Sequence, residues 1–304
     1  GYLGFLDQFF DYDLVSSVKC CGSLLRMYWC AEGSHYVARP IGCGNRRFCP
    51  KCGDRYTWNK VGFAFDLFKR IDEATRFRVY VSHLVLTLPP FLWDVVKDRE
   101  DRFFKVVYRL FRRLGGGLNG GVVSFHMWRS HDPLRGYYPH IHVATPNVVL
   151  KKNGDLWFFR RVRPYFDVDR LKKLYYGELV REFKDCEELK SFDCAKIDVW
   201  VRYLSLKQEN RVKHLLKYIF RLPVSDFYSY LYRGLGSKTV KFVMDSLNFK
   251  GKRIRWFGFL GDGVKAEYLG YLGVKWVSFA EWVKDREFLC PVHCSPLVRL
   301  GIRM

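Results

Sequence analysis

The stretch Tyr138-Pro139-His140-Ile141-His142-Val143 constrains the fold more than any other in this chain. In an extended strand alternate residues share a face, so His140 and His142 project to one side and Ile141 and Val143 to the other. The two imidazoles then stand side by side on a rigid edge, about 7 Å apart along the strand. Neutral imidazole is a borderline ligand for a divalent ion, and an ion held there can polarise a phosphate. An isolated His-x-His is more often the polar face of a half-buried strand, so the remainder of the chain has to decide between the two readings.

Charge is the first discriminator. Lys+Arg 52 against Asp+Glu 31 leaves +21, spread along the whole chain rather than gathered in a tail. A folded protein with that field attracts polyanions, nucleic acid foremost. The 49% hydrophobic and 18% aromatic content is that of a globular protein and excludes general disorder. An anionic membrane surface is the competing partner, but no apolar run of about 18 residues and no signal-peptide pattern is present, so a cytoplasmic protein without membrane contact is expected. Only two glutamines, Gln8 and Gln208, accompany the many charged and aromatic residues, which points toward a thermophilic source.

Six of the ten cysteines fall between Cys20 and Cys52. In a reducing compartment such a cluster more often binds metal than forms disulfides. The run Cys30-x4-His35-x7-Cys43-x5-Cys49-Pro50-Lys51-Cys52-Gly53 contains a Cys-x2-Cys knuckle followed by glycine, which lets two thiolates wrap one ion. Four of Cys30, His35, Cys43, Cys49 and Cys52 are expected to hold a structural Zn2+. The alternative is a set of inert buried thiols. Near the other end, Cys290, His293 and Cys294 are half of a possible second zinc site, with Cys20 and Cys21 as partners, or else disulfide or plain buried cysteines.

Three regions are expected: a zinc-binding start (residues 1–58), a main domain (59–235) and a basic C-terminal subdomain (236–304). In the main domain the apolar spacing predicts a helix over 59–74, a strand over 77–88 halted by Pro89-Pro90, and a helical stretch over 91–114. A glycine-rich break follows at 115–121, without the Lys-Ser/Thr pair of a phosphate-cradling loop. Strands over 122–128 and 138–145 form a hairpin around a loop with His131 and Asp132. A strand (157–163), a helix (169–183) and a strand (195–206) complete the order expected of an α+β sandwich, with helices on one face of an antiparallel sheet.

Residues 211–221 carry the other chemical signal. Val212, Leu215, Leu216 and Ile219 make one helical stripe, while His214, Lys217, Tyr218 and Arg221 make the opposite one. A phenol flanked by cations is favoured as phenolate, and an activated tyrosine can act as a covalent nucleophile. The plainer reading is a basic, DNA-facing helix.

Four ordered stretches together resemble the HUH endonuclease superfamily of rolling-circle replication initiators and single-strand transposases. They are Ser82-His83-Leu84-Val85-Leu86-Thr87-Leu88-Pro89-Pro90, Pro139-His140-Ile141-His142, Val212-Lys213-His214-Leu215-Leu216-Lys217-Tyr218, and the Cys43 to Cys52 segment, which is similar to the zinc region of IS91-type transposases. The resemblance covers roughly residues 30–225. It implies a five-stranded antiparallel sheet, with His140 and His142 holding Mg2+ or Mn2+ and Tyr218 attacking the scissile phosphate of single-stranded DNA. It also implies His126, where IS91-type relatives have His, as a third ligand, with His131 and Asp132 as rivals. Lys217 and Arg221 would stabilise phosphate. IS91-type transposases carry a second tyrosine where this chain has His214, which favours a plasmid or viral replication initiator acting on an origin or hairpin beside host replication proteins. In that setting His214 is a general base or a phosphate contact. The alternatives are an IS91-like transposase and a non-catalytic, zinc-containing nucleic-acid-binding protein.

Overall fold

The computed structural model describes residues 7, 10–75, 79–97, 99–114, 118–129, 136–150, 156–158, 167–222, 244, 253–261, 267, 269–270, 274–287 and 289–303. They belong to two compact units. One draws on Gly1–Phe63, Arg221–Phe249 and Val277–Met304, the other on Ala64–Phe220 and Lys250–Trp276.

The first unit is built on a small antiparallel sheet of β1 (Leu25–Cys30), β2 (His35–Pro40) and β10 (Leu297–Arg303), in the order β10-β1-β2. Helix α1 (Tyr12–Lys19) precedes it, capped by Asp11, whose Oδ1 accepts the Leu14 N–H at 2.9 Å. Among the described residues Tyr28, Cys30, Cys290 and Leu297 pack together at this sheet, with Val37 against them. Helix α2 (Pro50–Thr75) begins with proline at its first position and runs unbroken through residue 58, where composition alone suggests a boundary. Within this unit its Phe63 ring meets Phe279 and Trp282 of α8 (Phe279–Glu287) at 5.5 and 6.0 Å.

The second unit contains the expected five-stranded antiparallel sheet. Its strands are β3 (Tyr80–Thr87), β4 (Leu118–His126), β5 (His140–Pro146), β8 (Val199–Ser205) and β9 (Ile254–Gly258), in the order β9-β4-β5-β3-β8. Two short strands, β6 (Val148–Leu150) and β7 (Leu156–Phe158), extend it from the start of β4. The outermost strand, β9, comes from the basic C-terminal stretch. Strand β4 opens within the glycine-rich segment that reads as a flexible break. A Cβ on Gly121 would lie 2.4 Å from the Ala144 carbonyl oxygen and 2.9 Å from the Phe257 ring, so glycine here permits close strand packing instead of flexibility.

Register assigns the two faces. Phe125 pairs with Ile141, and His126 with His140. On the Phe125 face lie α4 (Glu100–Leu114) and α5 (Val168–Glu182): Phe103 and Phe104 meet Phe125 at 6.3 and 6.4 Å, and Phe103 meets Tyr175 at 6.5 Å. The two helices are tied through Glu178, fully buried, which accepts from Arg109 at 2.8 Å and Arg113 at 3.0 Å. The opposite face carries His126, His140, His142 and, by the β3 register, His83. Helix α7 (Glu209–Phe220) lies on this second face, burying Val212, Leu215, Leu216 and Ile219. Between β3 and α4 the chain makes a short turn of helix after Pro89, then α3 (Trp93–Val96); a further short helix, α6 (Glu187–Ser191), follows α5. Among the described residues no helix is long and apolar enough to cross a membrane.

Candidate functional site

Strand pairing gathers three histidines from two strands. His140 and His142 alternate along β5, while His126 sits opposite His140 on β4. Their ring centroids are 4.4 Å (His126–His142), 4.9 Å (His140–His142) and 5.4 Å (His126–His140) apart, and one ring nitrogen from each lies within 4.8 Å of the others. The expected trio is thus brought together. Its rivals His131 and Asp132 lie outside the described residues.

Hydrogen bonds set the tautomers. The His140 Nδ1 lies 2.8 Å from the Tyr138 carbonyl, which can only accept, so Nδ1 carries the hydrogen and Nε2 keeps a lone pair. His142 Nδ1 lies 2.9 Å from Nε2 of His83, and its own Nε2 is buried without a hydrogen-bond partner. With Nε2 as a ligand atom, Nδ1 donates to His83, which is the outer-shell support that metal-bound imidazoles receive. A buried, unpaired ring nitrogen costs about 1–3 kcal/mol, a cost that a bound cation removes.

The same rings are held neutral, as ligands must be. Burial pushes His140 down to about 4, with the Tyr138 carbonyl opposing and Arg129 assisting. Burial, then the neighbouring histidines, hold His142 well below the usual range. His83 is lowered to about 3 by burial and then by Arg202. It stacks on His142 with ring centroids 5.1 Å apart, and Trp200, 46% exposed, stands edge-on to it at 5.1 Å.

Tyr218 projects from α7 onto this cluster. Its ring is 4.9 Å from His142 and 5.6 Å from His126. Lys217, beside it, is half-buried; His214, one turn earlier, is exposed; Arg221 follows the helix end. Lys213 pairs with Glu209 and lies 4.9 Å from the Phe65 ring centroid.

The cysteine-rich region divides differently from the sequence expectation. Cys43, Cys49 and Cys52 meet, and Cys21 completes the set in place of Cys30 or His35. The Sγ of Cys52 is 3.5 Å from that of Cys21 and 3.7 Å from that of Cys43. A tetrahedron with Zn–S bonds of about 2.3 Å has edges of about 3.8 Å, so the thiols already stand near the spacing a zinc ion requires. Burial raises Cys49 and Cys43, whereas for Cys21 the Cys43 N–H and neighbouring thiols outweigh burial and lower it. Cys49 immediately precedes α2 and Cys52 lies in its first turn. Cys30 and His35 cannot join them because they pair with each other across the end of the β1–β2 hairpin.

Sequence reasoning missed Cys21 as a member of this set, and His83 and Trp200 beside the histidines. Cys21 was read, with Cys20, as a partner for Cys290, His293 and Cys294; it lies instead with Cys43, Cys49 and Cys52, while Cys290 and His293 meet Cys30 and His35. His83 shares the β3 face of Val85, which lies opposite His142, but that placement follows from register and not from local pattern. Comparison with protein-family models, with curated proteins and with solved structures finds no match to this chain.

Proposed function

We propose that this protein is a metal-dependent HUH-type endonuclease and strand transferase that nicks and rejoins single-stranded DNA through Tyr218, initiating rolling-circle replication of a plasmid or virus. The observation that carries the reading is the placement of the Tyr218 ring 4.9 Å from His142, on the face where His126, His140 and His142 converge. His126, His140 and His142 would hold Mg2+ or Mn2+, which when bound would supply Lewis-acid polarisation of a phosphate oxygen. The Tyr218 oxygen attacks phosphorus, its proton passing to solvent, and the bond from phosphorus to the 3′ oxygen breaks. The 3′ oxygen takes up a proton, leaving a free 3′-hydroxyl and a 5′-phosphotyrosine. The reverse attack by that hydroxyl, or by another strand's, restores the phosphodiester without ATP, because the bond is exchanged and not hydrolysed. Such a reaction depends on positioning and charge stabilisation more than on a strong base. Lys217 and Arg221 serve as phosphate contacts and His214 as an exposed base or phosphate contact. A histidine rather than a second tyrosine at 214 favours an initiator over a transposase.

Substrate binding is supported by three features. The net charge is +21. The exposed Trp200 ring beside His83 offers a stacking surface for a base. A cavity of about 510 Å³ in the other unit is lined by Arg26, Tyr28, Arg39, Arg55, Trp282 and Arg286, a pairing of guanidinium and aromatic groups suited to polynucleotide.

Labelled single-stranded oligonucleotides of varied sequence, hairpins included, are incubated with Mn2+ and resolved on denaturing gels. A protein-linked 5′ end is expected, mapping to the Tyr218 peptide and absent from Tyr218→Phe. If no sequence yields an adduct, or Tyr218→Phe forms it equally well, the reading fails and a non-catalytic zinc-containing binder takes its place.

A further inference from the structure

We infer that Cys30, His35, Cys290 and His293 form a second zinc centre, distinct from the four-cysteine group, which clasps the C-terminal knuckle to the hairpin of the first unit. Two strand ends and one tight turn bring the four side chains together. Cys30 ends β1 and is the register partner of His35, which begins β2, while Leu297 at the start of β10 pairs with Cys30 on its other side. The knuckle is Cys290-Pro291-Val292-His293-Cys294. Its Cys290 N–H donates to the Ser295 carbonyl at 2.7 Å, the Cys294 N–H donates to the Cys290 carbonyl at 2.9 Å, and Cys294 adopts the left-handed conformation with φ 57°. A Cys-x2-His turn of this shape presents both donors to one point.

The donor distances agree. Cys30 Sγ is 3.5 Å from His293 Nδ1, and Cys290 Sγ is 3.5 Å from His35 Nε2 and 3.6 Å from His293 Nδ1. For Zn–S of about 2.3 Å and Zn–N of about 2.0–2.1 Å, the S···N edge of a tetrahedron is roughly 3.6 Å. The tautomer of His35 agrees as well. Its Nδ1 lies 3.2 Å from the Gly33 carbonyl, which can only accept, so Nε2, the atom facing Cys290, is the one with a lone pair. Gly33 is required beneath the rings, since a Cβ there would lie 2.1 Å from His293 Cε1 and 2.6 Å from His35 Nδ1. Two thiolates and two imidazoles in tetrahedral array select zinc over the oxygen-seeking ions expected at the three-histidine site.

The fold supplies a reason for such an ion. Among the described residues Tyr28, Cys30, Cys290 and Leu297 pack together at these strands, so an ion on the two cysteines would tie that cluster to the knuckle. A Cys30–Cys290 disulfide is the competing staple, but it would leave two inward-facing histidines with no function, and both cysteines are free.

Zinc held by thiolates is counted in the full-length protein as the zinc released by a mercurial, which leaves zinc on histidines alone uncounted. Two equivalents per chain are expected, one in Cys290→Ser, one in Cys21→Ser, and two again in Cys290→His, which keeps a ligand. Cobalt loading of the unaltered protein covers the case in which a variant does not fold, because thiolate-to-cobalt charge-transfer intensity rises with each Co–S bond. Intensity for the six thiolates of the two groups is expected. A single thiol-held zinc, charge-transfer intensity for only four thiolates, or a Cys30–Cys290 disulfide in a non-reducing peptide map would overturn the inference.

Discussion

His142 is the residue on which the three-histidine face turns, because its two ring nitrogens have different surroundings. Nδ1 is engaged by His83 at 2.9 Å, leaving Nε2 for a cation. His83 is accordingly a positioning residue. Replacing it with Phe keeps the buried ring and removes the acceptor, so Mn2+ affinity should fall about 10–100-fold, the usual effect of losing such a partner. Calorimetric titration of zinc-replete protein measures this, and an unchanged affinity with intact folding would remove His83 from the site. The pH dependence has a definite sign. The folded-state values of His140 and His83, about 4 and about 3, lie below the ordinary 6.5, so the unfolded chain binds protons first as pH falls. Their stabilising contribution is complete above about 6.5 and is lost between there and about 3–4. Urea midpoints of metal-free protein should decline over this window, more gently in His140→Asn; equal slopes would show that His140 is not the titrating group. His140 and His142 were legible because a period of two is local. His83 was not, since its place beside His142 is set by pairing between strands 59 residues apart.

At the scale of elements, local pattern located the two parts that matter most, strand β5 and helix α7. Val212, Leu215, Leu216 and Ile219 were read as a buried stripe and are buried. The glycine segment in which β4 opens misled for a physical reason. Glycines suggest flexibility when no neighbour is known, but here Gly121 faces the Ala144 carbonyl on one side and Phe257 of β9, some 136 residues later, on the other. Gly121→Ala forces the backbones of β4 and β5 apart and should destabilise the protein by about 1–3 kcal/mol, in the range of overpacked core positions. Chemical denaturation measures it, and a loss under about 0.5 kcal/mol would mean the sheet yields there easily. The members of the four-cysteine cluster failed to resolve by spacing for a related reason. A Cys-x2-Cys knuckle names two donors, whereas the partners depend on which hairpin ends face it, and pairing across β1 and β2 commits Cys30 and His35 elsewhere.

At the scale of the whole molecule, the proposed nuclease reading predicts that charge separates binding from chemistry. With +21 distributed over the chain, phosphate neutralisation should dominate affinity for single-stranded DNA, independently of Tyr218. Each neutralised phosphate contributes about −0.7 to the slope of log K against log salt on a single strand, so a slope near −3 or steeper corresponds to about four or more contacts. Tyr218→Phe, which removes one hydroxyl and no charge, should keep both affinity and slope while abolishing adduct formation. Arg55→Ala with Arg286→Ala, on the wall of the arginine-lined cavity, should reduce the slope by about 1.4 and weaken binding to all sequences alike. Fluorescence anisotropy from low to moderate salt gives both quantities. If the double variant binds with the parent's slope, the cavity does not contact phosphate. The charge responsible for affinity must then be sought on the histidine face, where Arg202 flanks His83.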